Sequence, residues 1–237
     1  MEHLLDNPIW HALTGPHATV ALGQGLSRHY PQDMAPFSAL AEPTPAAYSD
    51  LARNLPPGME VRLFRPTEEP APDGWDTLSA RPIQQMIAPT ADGLASLHPA
   101  EAAALPLGPS DSADMLALAE AAEPGPFGPR TVELGRYVGM RGPDGRLVAM
   151  AGERFSLAGY TELSAICVHP DARGQGLGGA LTLHPARSTL ARGKVPFLHV
   201  FSYNPAAGLY NRLGFRDRAT LWVLWRRPTG RSATWAP

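Results

Sequence analysis

Thr161-Glu162-Leu163-Ser164-Ala165-Ile166-Cys167-Val168-His169-Pro170-Asp171-Ala172-Arg173-Gly174-Gln175-Gly176-Leu177-Gly178-Gly179-Ala180 is the stretch on which the fold turns. Its first half is apolar and β-branched enough to be a strand from Glu162 to Val168. Its second half is a glycine-rich turn that opens a helix running to about Arg192. Glycines let a backbone approach a ligand closely. The N–H groups of a first helical turn have no acceptor within the helix, and the helix dipole there favours negative charge. The arrangement is a phosphate cradle, unless the glycines serve only to let strand and helix pack tightly. Gly174 to Gly179 spells G-x-G-x-x-G, the dinucleotide fingerprint, but its context is wrong. The strand that follows, Val195 to Ser202, ends without the acid that would hold a ribose, and too little chain remains for a doubly wound sheet. Lys194 is the only lysine, so a lysine-bearing phosphate loop is excluded too.

Outward from this loop the pattern stays regular. Upstream, Ala103 to Leu107 reads as a short strand, and Ser110 and Asp111 can cap a helix to about Ala122. Leu134 to Met140 and Leu147 to Phe155 form a hairpin around Gly142-Pro143-Asp144-Gly145. Downstream come a strand from Pro196 to Ser202, a helix from about Pro205 to Leu213, and a last strand pair around Phe215 to Trp225. Pro185 falls inside the helix after the loop, where it should remove a backbone hydrogen bond and kink the helix.

The first hundred residues carry no chemical motif. Prolines crowd residues 1–126, which hold 18 of the 26, and break the chain into short pieces. Ala46 to Asn54 reads as a helix, Met59 to Phe64 as a strand, and Ser79 to Ile87 as an extended piece. Charge divides the chain as well, with a net −11 over residues 1–125 and +9 over residues 126–237. The basic half suits an anionic ligand, or the two halves attract each other. No basic run with interleaved aromatics points to nucleic acid. No apolar run is long enough for a membrane helix, and the acidic start does not read as a signal peptide. Cys167 is the single cysteine, which excludes an internal disulfide and any multi-cysteine metal site. The histidines lack metal-ligand spacing, so no metal is expected. The expectation is a cytoplasmic protein with an N-terminal domain over residues 1–100 and a second domain over 101–230.

Arg173-Gly174-Gln175-Gly176-Leu177-Gly178, preceded by His169-Pro170-Asp171, resembles the signature loop of the GNAT superfamily of N-acetyltransferases. A second motif follows in the right order. Asn204-Pro205-Ala206-Ala207-Gly208-Leu209-Tyr210-Asn211-Arg212-Leu213-Gly214-Phe215 resembles that family's Asn followed by a helix ending in Tyr-x-x-Leu-Gly-Phe. The resemblance covers roughly residues 103–227. It implies an α/β fold, a mixed and mostly antiparallel sheet flanked by helices, here joined to a Pro-rich N-terminal α/β domain that would cover the acceptor side. It implies acetyl transfer from acetyl-CoA to an amine of a small molecule or peptide, by direct attack and without an acyl-enzyme.

By the same resemblance the coenzyme's pyrophosphate falls to the loop, Arg173, Gly174, Gln175, Gly176, Leu177, Gly178 and Gly179. Its pantetheine arm falls to the strand at Ile166, Cys167 and Val168, with Asn204 and Tyr210 nearby. Tyr210 takes the role of proton donor to the leaving thiolate, and a phenol is protonated at neutral pH. The Val168 N–H is a candidate oxyanion donor. Glu162 is the candidate base, with Glu153 its rival. His169 shapes a turn and Cys167 is a buried small residue. From Asn204 to Tyr210 the chain is one residue shorter than the family pattern, which turns the helix start by about 100° relative to the tyrosine. Two other readings stand beside this one. A non-catalytic acyl-CoA-binding or regulatory protein would keep the cradle and be indifferent to Tyr210→Phe. An NAD(P)-dependent oxidoreductase would bind the dinucleotide.

Overall fold

The computed structural model describes residues 3–229. In chain order its helices and strands are α1 (Pro8–Leu13), β1 (Ser27–His29), β2 (Ser38–Leu40), α2 (Pro45–Asn54), β3 (Val61–Arg65), β4 (Trp75–Ile87), β5 (Leu105–Leu107), α3 (Ser112–Ala122), β6 (Tyr137–Arg141), β7 (Leu147–Leu157), β8 (Tyr160–Val168), α4 (Leu177–Ala191), β9 (Val195–Val200), α5 (Ala206–Arg212) and β10 (Arg216–Pro228). The described residues divide into two units, one of residues 3–32, 36–83 and 220–229, the other of residues 33–35 and 84–219.

The first unit pairs β1 with β2 and β3 with the last part of β10, both antiparallel. Thr44 caps α2 by accepting from the Ala47 N–H, and Pro45 follows at the first helical position, where a proline sacrifices nothing. The helix lays Ala47, Tyr48 and Leu51 onto Val61, Leu63, Trp75 and Leu224. Fully burying a leucine or phenylalanine contributes roughly 1.5–3 kcal/mol, so such a cluster holds the unit. Arg226 is fully buried here. It donates to the Tyr48 hydroxyl and to the Glu69 and Pro70 carbonyls, and lies over the Tyr48 ring.

The second unit is a mixed sheet in the order β4-β9-β8-β7-β6-β5, antiparallel throughout except for β8 beside β9. That parallel pair needs a crossover, and α4 supplies it. One face carries α3, with Met115 and Leu118 against Tyr137, Met150, Ala165 and Cys167. The other carries α4, with Ala180 and Leu181 against Met140, Ala149 and Ala151. This is the mixed, mostly antiparallel sheet flanked by helices that the resemblance implies. Alanines at 149, 151 and 180 let α4 lie close to the strands; Gly152 has a similar effect on the opposite face, where an added Cβ would stand 2.1 Å from the Tyr137 ring.

Two expectations meet different outcomes at the helix and strand that end this unit. The helix after the glycine loop continues through Pro185 to Ala191, so the Leu181 carbonyl lacks its usual donor while the helix persists. Its buried side, with Leu183, Pro185 and Ala186 packed inside, keeps it in place. The last strand pair is corrected. Arg216 to Pro228 is one unbroken strand, because the stretch between Phe215 and Trp225 has no glycine, proline or asparagine to turn it.

Candidate active site

β8 and β9 pair over three residues only, Tyr160 with Val195, Thr161 with Pro196 and Glu162 with Phe197. Beyond Glu162 the register ends. From there β8 pairs with β7 alone and Leu198–Val200 pairs with β4 alone. The two parallel strands therefore form a fork, open towards Val168. Past the fork β8 carries an extra residue against β7: Met150 faces Cys167, but Gly152 faces Ser164. Ala165 sits in this bulge at φ +52°, an unusual conformation for a residue with a side chain. Such strain persists where the surroundings enforce it, and here it re-aims β8 at the mouth of the fork.

At the closed end of the fork lies a buried chain of charges and hydrogen bonds. Glu162 is fully buried. Its Oε2 accepts from Arg154 Nε at 2.8 Å, and its Oε1 from Arg154 Nη2 at 2.7 Å. His199 Nδ1 also lies 2.7 Å from Oε1, which bridges β8 to β9 across the fork. Burial alone would raise the Glu162 pKa, but the Arg154 charge and the hydrogen bonds outweigh it and hold the carboxyl at about 2. A carboxylate only accepts, so His199 Nδ1 carries the proton and Nε2 is left to accept. Gln85 Nε2 stands 3.0 Å from that Nε2, and Gln85 Oε1 accepts from Arg218 at 2.7 Å. Burial pushes the His199 pKa down, so the ring is neutral. The groups are thus matched donor to acceptor from Arg154 to Arg218.

At the open end lies the loop. His169 caps the short turn 170–172 by accepting from the Asp171 N–H, which is the turn-shaping role its place before Pro170 suggests. Arg173 Nε reaches the Val168 carbonyl at 3.3 Å. Gly174 and Gly176 have φ of +79° and +76°, and nothing stands within 4 Å of where a Cβ of Gly174 would be. Arg173, Gly174, Gln175 and Gly176 are exposed, Leu177 and Gly178 half-buried, Gly179 buried. Gly176 is the N-cap of α4, so the N–H groups of the first turn face the same side as this open backbone. Free N–H groups of a first helical turn suit an anion such as a pyrophosphate, and His98 Nε2 borders the bed at Gly176.

Tyr210 and Asn204 come from the element after β9. Tyr210 is buried on α5, packed edge-on to Phe215 with ring centres 6.2 Å apart. Burial, with a smaller contribution from Cys167, pushes its pKa up to about 12. Cys167 is buried too, and its thiol is pushed up to about 12, so it stays protonated at neutral pH. Asn204 is exposed, and its side-chain oxygen accepts from the Ala206 N–H, starting α5. Ile166 and Val168 are half-buried and pack towards α4.

The structure therefore gathers the strand Ile166–Val168, the loop 173–179 and α5 into one unit around the fork. Glu162 lies at the closed end of the fork. Both its oxygens are taken by Arg154 and His199, and a carboxylate held at about 2 does not take up a proton at neutral pH. Glu153 is almost buried and paired with Arg192. Residues the sequence reading did not join are Arg154, His199 and Gln85. Ala158 and Gly159 lie between Leu157 and Tyr160, which pair, but counting back along β7 and forward along β8 sets Phe155 opposite Glu162 and so does not point to Arg154. Among the described residues no group of three or more His, Cys, Asp or Glu is placed to hold a metal ion.

Comparison with known proteins bears on this geometry. The family model described as FR47-like protein matches residues 137–223. A solved protein assigned to the GNAT family of acetyltransferases, from Novosphingobium aromaticivorans DSM 12444, is 34% identical, with a TM-score of 0.87 over 97% of this chain and 100% of that one. A GCN5-related N-acetyltransferase from Kribbella flavida is 20% identical, with a TM-score of 0.63 over 95% of this chain and 96% of that one. A functionally unknown conserved protein from Staphylococcus epidermidis is 12% identical, with a TM-score of 0.55 over 86% and 92%. Curated protein sequences give no match. With the two motifs in place around a forked parallel pair, and a full-length likeness at this level of identity, the chain belongs to the GNAT family of acetyltransferases.

Proposed function

We propose that the protein moves an acetyl group from acetyl-CoA to an amine of a small molecule or peptide, by direct attack and without an acyl-enzyme. The observation that carries this reading is the fork. β8 and β9 separate after Glu162 and Phe197, and the mouth between them leads to the exposed glycine bed at the start of α4. A long thioester with a phosphate at one end matches both parts. The loop residues Arg173 to Gly179 would hold the pyrophosphate, with backbone groups of Ile166 and Val168 along the arm and Asn204 beside it. No thiol nucleophile competes, because burial keeps Cys167 protonated.

The reaction forms a C–N bond and breaks the thioester C–S bond. The acceptor nitrogen attacks the carbonyl carbon, and the Val168 N–H is the donor we assign to the oxyanion. As the C–S bond breaks, Tyr210 gives its proton to the thiolate. Its raised pKa keeps that proton available at any physiological pH. Glu162 serves as the anchor of His199 and Arg154, and the proton of the acceptor amine leaves through water. Arg154 is almost buried and committed to Glu162, so acceptor charge is not read by it.

The test is calorimetric titration of the protein with acetyl-CoA, with NADH as the control, followed by thiol release on adding amines. Micromolar or tighter binding of acetyl-CoA, silence with NADH and amine-dependent thiol release are expected. Binding without release from any amine would favour an acyl-CoA-binding protein that lacks turnover. No binding of acetyl-CoA would overturn the reading of the loop.

A further inference from the structure

Residues 88–104 leave β4 and run against α4 and the residues that end α5 before β5 begins, and they are tied down along the way. The Ala95 N–H donates to the Leu213 carbonyl at 3.1 Å. Arg187 of α4 donates to the Ala95 carbonyl and lies 3.4 Å from Glu101. Gly214 approaches the Gly93 carbonyl so closely that a Cβ there would stand 2.0 Å from its oxygen. This strap ends at the glycine bed. His98 Nε2 lies 2.6 Å from the position a Cβ of Gly176 would take. Its other nitrogen is committed: Nδ1 accepts from the Ala100 N–H at 3.2 Å, while the His98 N–H donates to Glu101 at 2.7 Å.

That commitment fixes the ring. An Nδ1 that accepts must lack a proton, so the ring's proton sits on Nε2. The Nε2–H therefore stands against the N-cap of α4 as a hydrogen-bond donor, and among the described residues nothing accepts from it. We propose that His98 is a coenzyme-binding residue, donating from Nε2 to a phosphate oxygen held on the Gly174–Gly176 backbone. This rests on the reading of that loop as the acetyl-CoA site. It adds to the loop a donor from a distant part of the chain, held by a strap that the loop motif does not contain. Glu101, the nearest carboxylate on the strap, is buried and faces Arg187, so it does not repel the anion.

Two substitutions separate the two nitrogens. His98→Asn keeps an acceptor where Nδ1 caps the turn but cannot reach Gly176. His98→Gln extends a donor to about the place of Nε2 and gives up the cap. Each is titrated with acetyl-CoA and with acetyl-pantetheine, which has the thioester arm and no phosphates, and thermal melts confirm that each variant is folded. The expected result is that His98→Asn weakens acetyl-CoA by about tenfold or more, as for loss of a hydrogen bond to a charged group, and leaves acetyl-pantetheine within about twofold. His98→Gln stays within about threefold of the unmodified protein for both. Unchanged acetyl-CoA binding by His98→Asn, or equal weakening of both ligands, would show that the ring only packs against Gly176. If the unmodified protein itself fails to bind acetyl-CoA, the loop reading falls before any variant is compared, and the role of His98 falls with it.

Discussion

Replacing Glu162 with glutamine separates a structural anchor from a catalytic base. The amide oxygen can take the place of Oε1 and keep its bonds to Arg154 Nη2 and His199 Nδ1, which are 2.7 Å each. The amide nitrogen then occupies the place of Oε2, where it meets Arg154 Nε at 2.8 Å, donor against donor. The change also strips the counter-charge from a guanidinium that is 9% exposed. Breaking one side of a buried ion pair costs about 3–5 kcal/mol, and with two of three hydrogen bonds kept the lower figure applies. For a chain of this size roughly 2–4 °C of melting temperature goes with each kcal/mol, so the midpoint should fall by about 6–12 °C. Circular-dichroism melts and urea titrations measure this, alongside kcat for thiol release at saturating acetyl-CoA. Adding Arg154→Met removes the stranded cation and should recover at least about half of the loss, a coupling that a double-mutant cycle reports. A Glu162→Gln protein that melts with the wild type but loses a hundredfold or more in kcat would refute this reasoning and restore the carboxylate as base.

Tyr210→Phe should lower kcat by roughly 10²-fold or more while changing the KM for acetyl-CoA little, and the wild-type rate should show no loss attributable to the tyrosine until the pH approaches about 12; a variant as fast as the wild type would remove Tyr210 from the chemistry. Acid should destabilise the fold in two stages. His199 is held neutral, so the unfolded chain gains a proton as pH falls through about 6.5 that the native ring resists. Glu162 contributes stability that is complete above about 4.5 and is lost as pH falls towards about 2. Urea titrations from pH 7 to 3 should show both declines, and Glu162→Gln should flatten the lower one; an unchanged slope in the variant would contradict the assignment.

What could be read in advance was local. The glycine loop, α4, α5 and the β6–β7 hairpin follow from glycines, caps and apolar periodicity within a few residues of each other. The helix at Pro45–Asn54 and the strand at Val61–Arg65 were legible for the same reason. Non-local pairing was not. Nothing in Gln84–Ile87 announces that it will lie against Phe197–Val200, more than a hundred residues on. The buried charge chain was hidden by a smaller detail. Simple counting from the turn at 158–159 sets Phe155 against Glu162, and an extra residue in β7 moves the register so that Glu153 faces Leu163 and Arg154 reaches the carboxylate. His199 looked like an isolated histidine, because its partners sit on β8 and β4 rather than at any spacing along its own strand. The Arg216–Pro228 strand misled in the opposite direction: its length invited a turn that its residues do not encode.

The fork has a consequence for how the protein can be cut. Where β9 has left β8, the backbone of Leu198–Val200 pairs with β4 alone, through Met86, Gln85 and Gln84. The gap on one side thus leaves the backbone of that strand end dependent on a single neighbour on the other. A shortened chain beginning near residue 101 would keep both sequence motifs and still bare the outer edge of Val195-Pro196-Phe197-Leu198-His199-Val200, an apolar segment with unpaired backbone on both flanks at its far end. Exposed edges of that kind recruit other chains and aggregate. A shortened piece that keeps this edge of β9 covered must therefore begin before Gln84, well upstream of the first recognisable motif.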